Sequence, residues 1–148
     1  MVNLFRLTKS KLVIGYTTGV FDLFHIGHLN LLVRASDLCD RLVVGVTTDE
    51  LVMYKNKNAV IPFEERINIV SSLKCVASAI PQNSLDKFKQ WERIKFDILF
   101  VGDDWHGDAT WQSTEKQLSD VGVKVVYLPY TRSTSSTLIN EVLEKLRN

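Results

Sequence analysis

His25 and His28 are separated only by Ile26 and Gly27, where a strand-like run gives way to a helix-like one. That spacing puts both imidazoles on one face of a first helical turn. Each ring can donate a hydrogen bond to a phosphate oxygen, and each can carry charge near neutral pH. A helix start adds unpaired N–H groups and the positive end of the helix dipole, which together favour an anion. Gly27 removes a side chain where a ligand would pass close to the backbone. Upstream, Gly19-Val20-Phe21-Asp22 supplies a glycine-bearing turn. Taken singly, these residues describe a strand-to-helix junction with two surface histidines. Together they make a place to hold a phosphate.

Further along, Lys55 and Lys57 lie in a polar stretch that reads as a loop, where two ammonium groups could close over a polyphosphate as movable charges. Arg66 follows Glu64 and Glu65 at a helix start. It either grips an anion with its planar fork or forms an exposed ion pair with one of those acids. Asp103 and Asp104 follow a strand directly and could bind ribose hydroxyls or orient a hydrated Mg²⁺, although Gly-Asp-Asp is also a common turn. His106 has no evident partner. Thr131, Ser135, Ser136 and Thr137 precede the last helix, where hydroxyls and free N–H groups can hold β- and γ-phosphates or simply cap the helix.

These clusters need a scaffold that brings them together. The chain alternates strands and helices. Strands are predicted at 12–17, 41–47, 76–80 (ended by Pro81), 97–101 and 124–128. Helices are predicted at about 26–38, 61–73 with Pro62 at its first position, 84–94 capped by Ser84, 110–121 and 138–146. Residues 48–60 read as a loop. This rhythm predicts a single α/β domain, a Rossmann-like doubly wound sheet of about five parallel strands, preceded by an extension over residues 1–11. Such sheets bind ligands beyond the carboxyl ends of the strands, and the polar clusters fall there.

At 148 residues the chain can bury a core without metal or disulfide support. A formal net charge of +1 argues against general nucleic-acid or membrane-surface binding. Cys39 and Cys75 lack metal-ligand spacing and read as reduced core residues. Residues 1–12 carry Arg6, Lys9 and Lys11 and no apolar run of signal-peptide type. A cytoplasmic protein is the expectation.

The string Gly19-x-Phe21-Asp22-x-x-His25-x-Gly27-His28 resembles the signature of the cytidylyltransferase-like nucleotidyltransferases. Thr47-Thr48-Asp49-Glu50 with Lys55 and Lys57, and Gly102-Asp103-Asp104-Trp105, are similar to the glycerol-3-phosphate cytidylyltransferase branch. The resemblance implies transfer of CMP from CTP to a polyol phosphate, foremost glycerol 3-phosphate, with release of pyrophosphate. It implies Mg²⁺ carried by the triphosphate rather than bound directly by protein, and a homodimer. It places His25, His28, Lys55 and Arg66 in catalysis and Lys55 and Lys87 at the substrate. Gly19, Val20, Phe21, Asp22, Gly27, Lys57, Asp104, Thr131, Arg132, Ser135, Ser136 and Thr137 would face the nucleotide. The chain departs from the pattern with Tyr130 where arginine is expected and Ser133 where glycine is expected. Arg132 is the candidate to supply that guanidinium. The departure leaves two other readings open: the same chemistry with ATP or a different phosphomonoester, and a nucleotide-binding module without turnover.

Overall fold

The computed structural model describes residues 11–54, 57–102, 109–129 and 136–147. In chain order the elements are β1 (Ile14–Gly19), α1 (Ile26–Asp37), β2 (Arg41–Thr47), α2 (Asp49–Tyr54), α3 (Phe63–Ser71) and β3 (Ser78–Gln82). They continue with α4 (Lys87–Ile94), β4 (Ile98–Gly102), α5 (Ala109–Asp120), β5 (Lys124–Leu128) and α6 (Ser136–Arg147). The five strands form one parallel sheet in the order β3-β2-β1-β4-β5. The order reverses at β1, as the doubly wound expectation requires.

Residue alternation explains the two layers. Along β2, Leu42, Val44 and Val46 enter a core with Leu32 and Ala35 of α1 and Val70 of α3, while Val43 faces the other side. Along β4, Ile98 and Phe100 join the first core, and Leu99 and Val101 join a second one with Tyr16, Phe96, Trp111 and Leu118. A strand covered on both faces must be apolar on both, so these segments read as continuous hydrophobic runs. Cys39 and Cys75 are free thiols packed partly buried against the first core, and burial raises both thiol pKa values.

Four local expectations are corrected. The stretch after β2 is not all loop: Thr48 Oγ1 accepts from Leu51 N, and Asp49 and Glu50 occupy the first turn of α2, a favourable arrangement at a helix start. Pro81 does not end β3 but lies within it, opposite Val46. The missing N–H is tolerated because β3 is an edge strand. The cap of α4 is Asp86, which accepts from Phe88 N and Lys89 N, while Ser84 Oγ accepts from Asp86 N one step earlier. Likewise Pro62 is the cap of α3 rather than its first residue.

Candidate active site

β1 pairs with β2 along its whole length but with β4 only at Gly15–Ile98 and Tyr16–Leu99. Beyond Tyr16 the two strands part, and Thr17 Oγ1, donating to Phe100 O at 3.0 Å, replaces the lost ladder. A cavity of about 450 Å³ opens at this split, lined by the carboxyl ends of β1 and β4 and by the turn that follows β1. Its size is ordinary for a small-molecule site.

The turn is held in an uncommon shape. Phe21 and Leu23 both have positive φ, 54° and 50°, conformations that non-glycine residues adopt only when their surroundings impose them. Asp22, buried between them, imposes it here. Its Oδ1 accepts from Leu23 N and Ile61 N, and its Oδ2 from Val60 N. Gly19 makes room for the Phe21 ring, which a Cβ there would meet at 3.0 Å. Asp22 thus ties the turn to the segment before α3.

His25 is the N-cap of α1, with extended backbone. Its Nδ1 accepts from Gly27 N at 3.0 Å, and His28 Nδ1 accepts from His25 N at 3.3 Å. This is a capping box built from two imidazoles, and the rings stack with centroids 3.9 Å apart. Because each Nδ1 is an acceptor, each neutral ring carries its proton on Nε2. Burial lowers the pKa of both rings and takes His28 down to about 4, with His25 adding to the effect and Asp22 opposing it. The expectation of rings charged near neutrality is therefore corrected: both are neutral donors at pH 7. Below its ordinary value of 6.5 the unfolded His28 ring binds a proton that the folded ring resists until about pH 4. Over that window the unfolded state holds more protons, so His28 makes stability fall as pH falls from about 6.5 to about 4. Thermal unfolding of the wild type against His28→Gln across this range should show a shallower acid slope in the variant.

The cavity brings together Gly19, Val20, Phe21, Asp22, His25, Gly27, His28, Lys57, Lys87 and Thr137. Lys87 is 5% exposed, and its Nζ donates to Thr18 Oγ1 at 2.6 Å. Arg66 is not brought to the cavity wall. It is fully buried and pairs with Asp49, so the exposed pair with Glu64 or Glu65 does not form. Its donors serve the carbonyls of Val20, Thr47 and Ile61, which argues against contact with an incoming phosphate. Lys55, Asp104, Thr131, Arg132 and Ser135 lie outside the described residues, as do Asp103, His106 and Tyr130; Ser136 opens α6. Sequence reasoning did not single out Thr18, Asn58 or Asn140, which also line the cavity. Thr18 ends a strand at the sheet's switch point, and that position was the available signal.

Among the described residues no three His, Cys, Asp or Glu side chains converge to hold a metal. Both Asp22 oxygens accept from backbone N–H groups. No helix among the described residues is long and apolar enough to cross a membrane.

Comparison with known proteins agrees with this geometry. The family model described as cytidylyltransferase-like matches residues 16–142. A glycerol-3-phosphate cytidylyltransferase of Bacillus subtilis is 38% identical over 143 residues, covering 92% of this chain and 99% of that one. An FAD synthase of Methanosarcina mazei is 37% identical over 134 residues, covering 86% and 87%. Among solved structures, a lipopolysaccharide core biosynthesis protein from Thermoplasma volcanium superposes with a TM-score of 0.69 at 27% identity, covering 84% of this chain and 100% of that one. A split parallel sheet, a two-histidine helix cap at the split and a match running from β1 into α6 lead to one conclusion: this chain belongs to the cytidylyltransferase-like family of nucleotidyltransferases.

Proposed function

We propose that the protein transfers CMP from CTP to a polyol phosphate, with glycerol 3-phosphate as the leading acceptor, and releases pyrophosphate. The observation that carries the reading is the reciprocal imidazole cap, which fixes both Nδ1 atoms on backbone N–H groups and leaves two Nε2–H donors beside the cavity. An acceptor phosphate is already anionic and needs no strong base. Its oxygen attacks the α-phosphorus, a new P–O bond forms, and the bond to the departing pyrophosphate breaks. The difficulty is bringing two anions together and stabilising the charge that builds up between them. His25 and His28 donate to the α-phosphate and bridging oxygens as charge accumulates. Lys57 neutralises the nucleotide, and buried Lys87 receives the acceptor phosphate; Lys55, outside the described residues, is the further candidate for that phosphate. Thr137 and the first N–H groups of α6 suit the distal phosphates. Mg²⁺, when bound through the triphosphate, supplies further charge neutralisation.

Resemblance to glycerol-3-phosphate cytidylyltransferases supports CTP. Similar identity to FAD synthases supports a second reading in which the same machinery uses ATP and a different phosphomonoester. The test is pyrophosphate release with Mg²⁺ across CTP, ATP, UTP and GTP, each against glycerol 3-phosphate, other polyol and sugar phosphates, and flavin mononucleotide. CTP-specific release with glycerol 3-phosphate is the expected result. Release only from ATP with flavin mononucleotide would move the assignment to the second reading. Nucleotide binding with no release on any pair would leave a binding module.

A further inference from the structure

Arg66 heads the fully buried side chains by volume, yet it does not line the cavity. Its Nε donates to Ile61 O at 2.8 Å, its Nη1 to Val20 O at 2.7 Å and Thr47 O at 2.8 Å, and its Nη2 to Asp49 Oδ1 at 2.6 Å. These acceptors come from the turn after β1, the end of β2, the approach to α3 and the first turn of α2. Asp49 Oδ2 meanwhile accepts from Phe63 N at 3.2 Å. It thereby supplies the cap that Pro62, with no side-chain bond of its own, cannot give α3. Asp22 closes the same seam from the other side through Val60 N and Ile61 N. Val20 precedes Asp22 by two residues and His25 by five, so the position of its carbonyl sets where the imidazole pair starts.

We propose that Arg66 and Asp49 are positioning residues: the guanidinium fork clamps the Val20, Thr47 and Ile61 carbonyls, Asp49 holds the fork in place, and together they set the imidazole pair opposite the segment that carries Lys57. A point charge cannot do this. Lysine would keep the charge but lacks the rigid planar set of donors needed to reach four acceptors in three directions. That difference separates a clamp from an electrostatic guide for substrate, since a guide would survive as lysine. The kinetic half of the proposal rests on the transferase reading; the structural half does not.

The test compares Arg66→Lys and Asp49→Asn with the wild type in two measurements. Nitrogen-15 NMR of the histidine rings in nucleotide-free protein reports the tautomer, and pyrophosphate release reports kcat and KM separately. We expect Arg66→Lys to convert the single Nε2–H pattern of both rings into a mixture. Its kcat should fall between about 10- and 100-fold, the scale of a small misplacement of reacting groups, with nucleotide KM within about twofold. Asp49→Asn should do the same to a smaller extent. The Asp49 side chain is 45% exposed, so this variant stands alone if Arg66→Lys does not fold. Unchanged ring signals with wild-type kcat would overturn the proposal. So would a raised acceptor KM with unchanged kcat and unchanged ring signals, which would make Arg66 a substrate contact. If no substrate pair turns over, the transferase reading fails, while the ring signals of the nucleotide-free protein still decide whether the clamp exists.

Discussion

Replacing His28 with alanine should lower kcat by on the order of 10²–10³ while nucleotide KM stays within a few-fold, the signature of a donor that matters most as charge develops. The geometry makes the prediction specific. His28 Nδ1 is engaged by the N–H of His25 and its ring stacks on His25, so the group it offers a ligand is Nε2–H. Because burial holds its pKa at about 4, the ring is a neutral donor throughout the neutral range. The pH profile of kcat/KM, which reports the free enzyme, should therefore carry no inflection from His28 between about pH 6 and 8. The ring also packs edge-on to Phe21 at 5.4 Å and beside Phe24 at 5.2 Å, so alanine leaves a void as well as removing a donor. His28→Gln, which restores an amide donor and some volume, separates the two effects. If catalysis is lost through packing, glutamine should recover both the melting temperature and the rate; if the imidazole Nε2–H is what counts, it should recover the former far more than the latter. Wild-type turnover in His28→Ala, measured as pyrophosphate release, would refute the role.

Much of this arrangement was legible in the sequence because it is local. Strands covered on both faces are continuous apolar runs, and the runs 41–47 and 124–128 appear as strands with those bounds. The three-residue spacing of His25 and His28 fixed a shared face once a helix began at Ile26. What the sequence concealed is what depends on distant segments. Arg66 follows two acids and reads either as an anion grip or as half of an exposed ion pair with one of them; only folding shows that the carboxylate it meets comes from a helix 17 positions upstream. Pro81 reads as a strand terminator because nothing local says that β3 lies at the sheet edge. The neutrality of the imidazoles was hidden for the same reason. Their spacing is visible in the chain, whereas their desolvation is set by the Phe21 and Phe24 rings packed around His28 and by the turn conformation that Asp22 holds through Val60 and Ile61.

Lys87→Met should cost far more activity than stability. Lys87 is the first residue of α4, directly after its Asp86 cap, and only 5% exposed. A cation in the first helical turn opposes the helix dipole, and burial adds a desolvation cost. Here Nζ donates to Thr18 Oγ1 at 2.6 Å on the wall of the cavity between β1 and β4, within reach of an anion bound there. Methionine preserves most of the stem and removes the charge. The melting temperature should fall by no more than about a few degrees, while kcat/KM for the phosphomonoester falls by on the order of 10², in line with truncating one partner of a buried charge pair. Thr18→Val keeps the ammonium but removes its guide, and should give a loss of the same kind but smaller, about 3- to 10-fold, because one hydrogen bond to a charged group is at stake. In Lys87→Met the nucleotide KM should move less than the acceptor KM; the reverse order would place Lys87 on the triphosphate, and wild-type values for both would remove it from the site. A fall in melting temperature matching the loss of activity would show instead that the ammonium is a structural partner of Thr18, and that the cavity draws its positive charge from elsewhere.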